Sequence, residues 1–143
     1  MTQGYPDRKL LLPIRVYYED TDAGGVVYHS QYINYFERAR TEFMRQLGYQ
    51  LDELAEKENL LFVVRSINCE YLLPAKFNDE LFVSAEIIEV SKTRITFKQE
   101  VMKSHQGKCL TLTKGEVLVV AVDAKKFKAK RIPKYILHTL GEE

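Results

Sequence analysis

The chain has 143 residues, 45% of them hydrophobic, and its 21 Lys and Arg residues nearly balance its 20 Asp and Glu residues. This length predicts one domain, residues 1–143, that buries about two thirds of its unfolded surface without metals or disulfides. The formal net charge of +1 gives no overall field that would attract nucleic acid or an anionic membrane, so neither is an expected partner.

The cysteine pattern and the hydropathy indicate where the protein works. Cys69 and Cys109 fall in apparent strands and form no C-x-x-C pair, which is typical of a reducing compartment. The N-terminus lacks the apolar stretch of a secretory leader, and no run approaches the ~18 apolar residues of a membrane span. We therefore expect a soluble cytoplasmic protein without a transmembrane segment.

The first third of the chain predicts a strand followed by a long helix. Residues 13–20 alternate in polarity, with Ile14, Val16 and Tyr18 on one face, as a half-buried strand requires. Apolar residues spaced at i, i+3 and i+4 over 30–47 predict an amphipathic helix, and the glycine that follows is typical of a helix C-terminus.

The rest of the chain predicts mainly strands. After a short helix over 51–58, capped near Gln50 or Asp52, period-2 patterns predict strands over 60–71, 79–91, 93–103 and 108–123. Short connections between consecutive strands predict an antiparallel meander. Pro133 can open a last helical turn.

These elements favour an α+β fold. One long helix and about five strands bury their apolar faces most economically if the sheet curls around the helix. Such a sheet has exposed edges, which pairing with a second copy of the chain would remove. We therefore expect an α+β homo-oligomer.

Two carboxylates stand between the first strand and the long helix. Asp20 and Asp22 bracket Thr21 in the stretch 19–29, Glu-Asp-Thr-Asp-Ala-Gly-Gly-Val-Val-Tyr-His. A carboxylate at a strand end, followed by a glycine pair and a helix start, can lie beside free N–H groups that polarise a carbonyl, as acyl transfer requires. Alternation places both aspartates on the face of Tyr18, so spacing alone does not decide between them.

Residues 15–47 resemble the signature of hotdog-fold acyl-CoA thioesterases, and the YbgC type within the 4-hydroxybenzoyl-CoA thioesterase family most closely. The resemblance continues more weakly through 62–65, 70–71 with 74–75, and 116–120. It implies the hotdog fold, an antiparallel sheet of about five strands wrapped around one long central helix. It also implies homodimers or homotetramers with active sites at the subunit interface.

The resemblance also implies roles for three side chains. Asp22 matches the catalytic carboxylate, and Tyr18 and His29 match the two residues implicated beside it in the YbgC type. Asp22 can act either as a nucleophile or as a general base, and the sequence leaves this open. Asp20 is then expected to have a structural or loop-capping role.

Glu37 is the second candidate carboxylate, because other hotdog thioesterases carry their catalytic carboxylate on the central helix. An i, i+3 pairing with Arg40 is its expected role. Gly24 and Gly25 allow an acyl group to approach the main chain closely, so that the N–H of His29 can meet the thioester oxygen.

Basic residues are expected where coenzyme A places its phosphates. Arg65, Lys92 and Arg94 are the predicted contacts. A second candidate is the run of cations Lys125, Lys126, Lys128, Lys130 and Arg131. The three histidines and two cysteines share no ligand spacing, so no metal is expected. No separate cofactor is expected either, since coenzyme A is part of the substrate.

Two other functions remain open from the sequence. One is a non-hydrolytic module that binds acyl-CoA or acyl carrier protein and is linked to the cell envelope. The other is a hotdog hydratase or dehydratase, which would use the His and Asp pair while the thioester stays intact. Acyl specificity also stays open, because aromatic and aliphatic groups both fit among Tyr28, Tyr32, Phe62 and Tyr71.

Overall fold

A computed structural model describes residues 9–141, which form one antiparallel sheet with helices on it. The strands are β1 (Lys9–Arg15), β2 (Leu60–Tyr71), β3 (Glu80–Val90), β4 (Arg94–His105) and β5 (Lys108–Asp123). The helices are α1 (His29–Gln46), α2 (Leu51–Glu58) and α3 (Lys134–Leu140), and a single 3-10 turn covers Tyr18–Asp20. Residues 1–8, on which the expected absence of a secretory leader depends, lie outside the described residues.

Helix α1 supplies one side of the core. Its 18 residues bury an apolar stripe that includes Tyr35, Phe36 and Ala39, each 0% exposed. The helix packs against β1, β3 and β4, and Phe43 meets Phe97 of β4 edge to face with ring centroids 5.5 Å apart. The predicted helix over 30–47 is therefore confirmed within one residue at each end.

The sheet order is β1-β3-β4-β5-β2, with every pair antiparallel. The predicted meander is confirmed for β3, β4 and β5 and is wrong for β2, which crosses to the far edge and pairs with β5. The sequence of β2 fits this position, because its second half is polar at Ser66, Asn68 and Glu70. A half-polar strand costs least at an edge.

The predicted strand over 13–20 is wrong beyond Arg15. After β1 the chain turns through the 3-10 segment, so alternation no longer sets which side chains are buried. Val16 is 0% exposed, but Tyr18 is 74% exposed and Asp20 only 4% exposed. Tyr18 and Asp20 therefore do not share a face.

Gly115 allows β5 to lie close to both its neighbouring strand β2 and helix α1. A Cβ atom on Gly115 would lie 2.8 Å from the main-chain oxygen of Asn68 and 3.1 Å from the ring of Phe36. Only a residue without a Cβ fits this approach without moving the backbone.

Between residues 9 and 141, none of the helices has the length and apolar character needed to cross a bilayer.

Candidate active site

The segment between β1 and α1 folds back on itself and brings the candidate residues onto one loop. The N–H of Tyr28 donates to the main-chain oxygen of Asp20 at 3.1 Å, and Thr21 forms an antiparallel bridge with Val27. The N–H of Asp22 donates to the oxygen of Val26 at 2.9 Å. The stretch 20–22 therefore runs beside 26–28 and ends at the first turn of α1.

The carboxylate of Asp22 is held by the loop that follows it. Its Oδ1 accepts the N–H of Gly24 at 2.8 Å and that of Val26 at 3.4 Å. Within residues 9–141, both hydrogen bonds found to this carboxylate end on Oδ1, so Oδ2 is left for a substrate or a water molecule. The side chain is half-buried, which restricts its motion without removing it from solvent.

The glycine pair makes this loop possible. Gly25 has a φ of +81°, which residues with a Cβ rarely adopt, and its N–H donates to the oxygen of Asp22 at 3.0 Å. A Cβ on Gly24 would lie 3.3 Å from Oδ1 of Asp22. Both glycine N–H groups are thus used inside the loop, and the glycines shape the site.

Asp20 has the loop-capping contact expected of it. Its Oδ2 accepts the N–H of Tyr17 at 3.0 Å and closes the 3-10 turn. The hydroxyl of Tyr35 is buried and makes no hydrogen bond of good geometry within the described residues. Burial raises the pKa of Tyr35, and the neighbouring Asp20 carboxylate raises that pKa further. Asp20 therefore faces the core, whereas Asp22 faces the open side of the loop.

His29 is the first residue of α1, and its imidazole is exposed. Its ring lies 4.6 Å from the ring of Tyr71, at the end of β2, and its main-chain oxygen accepts the Tyr71 hydroxyl at 3.3 Å. The first N–H groups of a helix have no partner within the helix. His29 thus brings both an imidazole and a helix N-terminus to the site.

A cleft of about 210 Å³ opens beside His29. Its walls come from the start of α1, the end of β2 and the loop after β2, and it is lined by Val26, Val27, His29, Tyr32, Tyr71, Leu72, Leu73 and Pro74. The hydroxyl of Tyr32 accepts the N–H of Ala75 at 3.0 Å, which ties the β2–β3 connection to α1. Of the four side chains predicted to surround the acyl group, this cleft contains Tyr32 and Tyr71.

Tyr18 lies on the same loop with its side chain outside the core. Its ring stacks on that of Phe77, with centroids 3.7 Å apart and planes 6° from parallel. Among the described residues, no hydrogen bond joins the side chains of Tyr18, Asp22 and His29 to one another. The three are neighbours on one folded loop and do not form a preassembled hydrogen-bonded triad.

The predicted pairing of Glu37 with Arg40 is wrong, because no ion pair joins their side chains among residues 9–141. Arg40 is 9% exposed, and its Nη1 donates to Oε1 of Gln99 at 3.0 Å. The amide of Gln99 donates in turn to the main-chain oxygens of Phe36 and Ser84. Desolvation lowers the pKa of Arg40, and Glu37 opposes this shift through its charge alone.

Glu37 and Arg40 line a second cavity, of about 300 Å³, which sequence reasoning missed. Helix α1 and the first half of β2 form most of its walls, and the lining side chains are Glu37, Arg40, Thr41, Met44, Leu51, Phe62, Val63, Val64, Ile95, Phe97 and Val119. Phe62, the third predicted acyl-pocket residue, lies here. Tyr28 is 51% exposed and lines neither cavity.

Two of the three predicted coenzyme A contacts, Lys92 and Arg94, lie at the other end of the sheet from Asp22. Lys92 lies in the turn after the last residue of β3, and Arg94 begins β4. Arg15, at the end of β1, pairs with the first residue of β3. The 11 residues of β3 span about 33 Å at ~3.3 Å per residue. One protomer therefore does not bring these basic residues to its own Asp22.

Arg65 and Arg94 do lie at a similar level of the sheet. Arg94 pairs with Val120 of β5, and Val64 pairs with Val119, two strands away from β4. The β2–β5 register shifts between Val64 and Ser66, so Arg65 is the extra residue of a β-bulge. Two exposed cations thus mark one region of the surface.

The basic run 125–131 forms a turn with structural contacts. Oδ1 of Asp123 accepts the N–H groups of Lys125 and Lys126, and these bonds lower the pKa of Asp123. Lys130 reaches the last carbonyls of α2, at Glu58 and Asn59. Lys130 therefore caps a helix, while the other cations of the run are exposed.

Across residues 9–141, no group of three or more His, Cys, Asp or Glu side chains is arranged to hold a metal ion.

The chain matches the Thioesterase-like superfamily over residues 16–140. It is 44% identical over 130 residues to the acyl-CoA thioesterase YbgC of Haemophilus influenzae, covering 91% of this chain and 93% of that protein. A probable thioesterase from Bartonella henselae superposes with a TM-score of 0.80 at 31% identity, over 87% of this chain and 99% of the other.

A 4-hydroxybenzoyl CoA thioesterase mutant, solved in complex with 4-hydroxybenzoyl CoA, superposes with a TM-score of 0.87 over 94% of this chain and 99% of that chain. Its 15% identity shows a common fold and no more. The relatives at 31% and 44% identity cover most of the chain, and the one at 31% also superposes on its fold. The chain therefore has the hotdog fold and belongs to the YbgC family of acyl-CoA thioesterases within the thioesterase-like superfamily.

Proposed function

We propose that this protein hydrolyses an acyl-CoA thioester to a free carboxylic acid and coenzyme A, and that Asp22 is the carboxylate that starts the reaction. The observation that carries the proposal is the state of that side chain. Oδ1 is fixed by the N–H of Gly24 at 2.8 Å, while Oδ2 has no hydrogen-bond partner among the described residues. An oriented and partly solvated carboxylate is what a nucleophile or a general base requires.

Either role of Asp22 gives the same products. As a general base, the carboxylate takes a proton from water while the water oxygen attacks the thioester carbon. As a nucleophile, it attacks that carbon itself, expels the thiolate, and leaves a mixed anhydride that water then hydrolyses. In both routes the carbonyl oxygen gains negative charge, which a helix N-terminus stabilises.

His29 is the proposed donor to that developing oxyanion. It is the first residue of α1, and the glycine N–H groups are already used inside the Asp22 loop. Its exposed imidazole can also protonate the departing thiolate. The hydroxyl of Tyr18 is the second proposed side-chain donor.

The proposed active unit is a homodimer joined through β2. β2 is an edge of the sheet whose outer hydrogen-bonding groups have no strand beside them among residues 9–141. Two antiparallel copies of β2 would place the first half of one strand beside the last half of the other. The Arg65 and Arg94 region of one protomer would then approach the Asp22 loop of its partner.

This arrangement provides what one protomer lacks, since the length of β3, about 33 Å, separates the Asp22 loop from Lys92 and Arg94. Arg65, Lys92 and Arg94 are the proposed contacts of the coenzyme A phosphates. The acyl group would enter the cavity lined by Glu37, Phe62 and their neighbours. A homotetramer would pair two such dimers and leave each site unchanged.

We make three further proposals, which concern the cofactor, the location and the acyl donor. The reaction as written needs water and the thioester, so we propose that it uses no separate cofactor. The proposed location is the cytoplasm. An acyl carrier protein presents the same thioester bond and is a second proposed acyl donor.

The test is thiol release from a panel of short, long and aromatic acyl-CoA thioesters. Cys69 and Cys109 are free thiols, so each rate is read after the background from enzyme alone is subtracted. We expect sustained release of one thiol per free acid formed, measured by mass spectrometry on the same samples. Tight binding without release would favour the non-hydrolytic module. A hydrated or dehydrated acyl chain on an intact thioester would favour the hydratase or dehydratase.

A further inference from the structure

The Tyr18–Phe77 stack lies outside the hydrophobic core. Tyr18 is 74% exposed and Phe77 is 38% exposed, yet their rings are nearly parallel with centroids 3.7 Å apart. Burial of apolar surface therefore explains little of the arrangement. Within the described part of the chain, the Tyr18 side chain makes no hydrogen bond, so this stack is the contact that orients its ring.

Phe77 lies on a hydrogen-bonded turn of the β2–β3 connection. The N–H of Asp79 donates to the oxygen of Lys76 at 3.0 Å, and Oδ2 of Asp79 accepts the N–H of Lys76 at 2.9 Å. Oδ1 of Asp79 pairs with Lys103 of β4 at 3.2 Å, which anchors the turn to the sheet.

The same turn is bonded to the Asp22 loop. The N–H of Phe77 donates to the oxygen of Gly25 at 3.2 Å, and Val26 forms a bridge with Lys76. Phe77 thus contacts this loop twice, through its main chain at the glycine pair and through its ring at Tyr18.

We propose that Phe77 is a positioning residue that fixes the ring of Tyr18, and with it the place of the hydroxyl that donates to the substrate. This inference rests on the proposed function. The stack limits the rotation of an otherwise solvent-exposed side chain, so the hydroxyl is in place before the thioester arrives. Because both rings are exposed, removing one changes this orientation at little expense to the core.

The test is a double-mutant cycle of Tyr18→Phe with Phe77→Leu, followed by thiol release from the best acyl-CoA of the panel. Phe77→Leu alone should lower kcat about 3- to 10-fold, the range expected when an aromatic pair is lost, with KM changed less than about twofold. Phe77→Tyr keeps a ring and should restore the rate. In the Tyr18→Phe background, Phe77→Leu should have no further effect, because the hydroxyl it positions is gone.

Phe127→Leu is the matched control, since Phe127 is 65% exposed on the turn after β5, and it should leave kcat unchanged. Proton NMR gives a second measurement: the Tyr18 ring signals should be shifted by the Phe77 ring current in the wild type and in Phe77→Tyr, and not in Phe77→Leu.

A wild-type rate in Phe77→Leu, or an equal loss in both Tyr18 backgrounds, would overturn the positioning role while hydrolysis itself stands. Full activity of Tyr18→Phe would overturn the inference together with the role of that hydroxyl. A wild type that releases no thiol from any acyl-CoA would overturn the proposed function, and the inference with it.

Discussion

Replacing Asp20 by alanine removes the buried carboxylate that closes the 3-10 turn before the loop that carries Asp22. Asp20 is 4% exposed, and its Oδ2 accepts the N–H of Tyr17 at 3.0 Å. A hydrogen bond to a charged group contributes about 1.5–3 kcal/mol, and Tyr17 is 62% exposed, so its freed N–H adds no penalty for burial. We therefore expect Asp20→Ala to lower the free energy of unfolding by about 1.5–3 kcal/mol.

Urea denaturation followed by far-UV circular dichroism measures this change, since the chain contains no tryptophan for fluorescence. All variants are compared at one protein concentration, because an oligomer gains apparent stability with concentration. Asp20→Asn keeps an oxygen acceptor and should lose about 1 kcal/mol. Glu19→Gln, at the exposed neighbouring carboxylate, should stay within about 0.5 kcal/mol of the wild type.

We expect an order of stabilities in which Glu19→Gln lies above Asp20→Asn, and Asp20→Asn lies above Asp20→Ala. An Asp20→Ala variant as stable as Glu19→Gln would refute it. The buried carboxylate would then be no anchor, and the assignment of Asp20 to structure and Asp22 to chemistry would lose its basis.

Three other changes follow from the structure. Gly115→Ala should lower the free energy of unfolding by about 1–3 kcal/mol in the same urea assay, because its Cβ would lie 3.1 Å from the ring of Phe36; wild-type stability would contradict the close approach. Burial raises the pKa of Tyr71 to about 12. The folded protein therefore keeps a proton that the unfolded chain releases between about pH 10 and 12, and stability falls as the pH rises through this window. Tyr71→Phe should make the urea midpoint fall less steeply there, and an unchanged slope would count against the shift. Val64→Lys adds a charge to the β2 edge, where the side chain is 44% exposed, and should lower the mass measured by sedimentation equilibrium; a monomeric wild type would contradict the proposed dimer.

Local patterns in the sequence predicted the elements that depend on local physics. The 3.6-residue stripe gave α1 within one residue, and the period-2 pattern gave the bounds of β2 and β5 as observed. The signature over 15–47 gave the fold and the family, both confirmed by the comparisons. The roles of Asp22, His29 and Tyr18 stay predictions.

The features that the sequence did not predict depend on long-range contacts. The end of β1 was placed too late because a capping carboxylate, Asp20, turns the chain where alternation alone would extend it. The partner of Arg40 was misplaced because Gln99, 59 residues away, binds it in the core. The polar second half of β2 is one feature of the sequence that could have predicted its edge position.

The most direct test of the central claim is the turnover of Asp22→Asn on the best acyl-CoA substrate, with Asp20→Asn measured beside it. Asparagine keeps an oxygen for the N–H of Gly24 and removes the base or nucleophile, so kcat/KM should fall about 10²- to 10⁴-fold while the circular dichroism spectrum stays unchanged. Thiol release at the wild-type rate from folded Asp22→Asn would contradict the account.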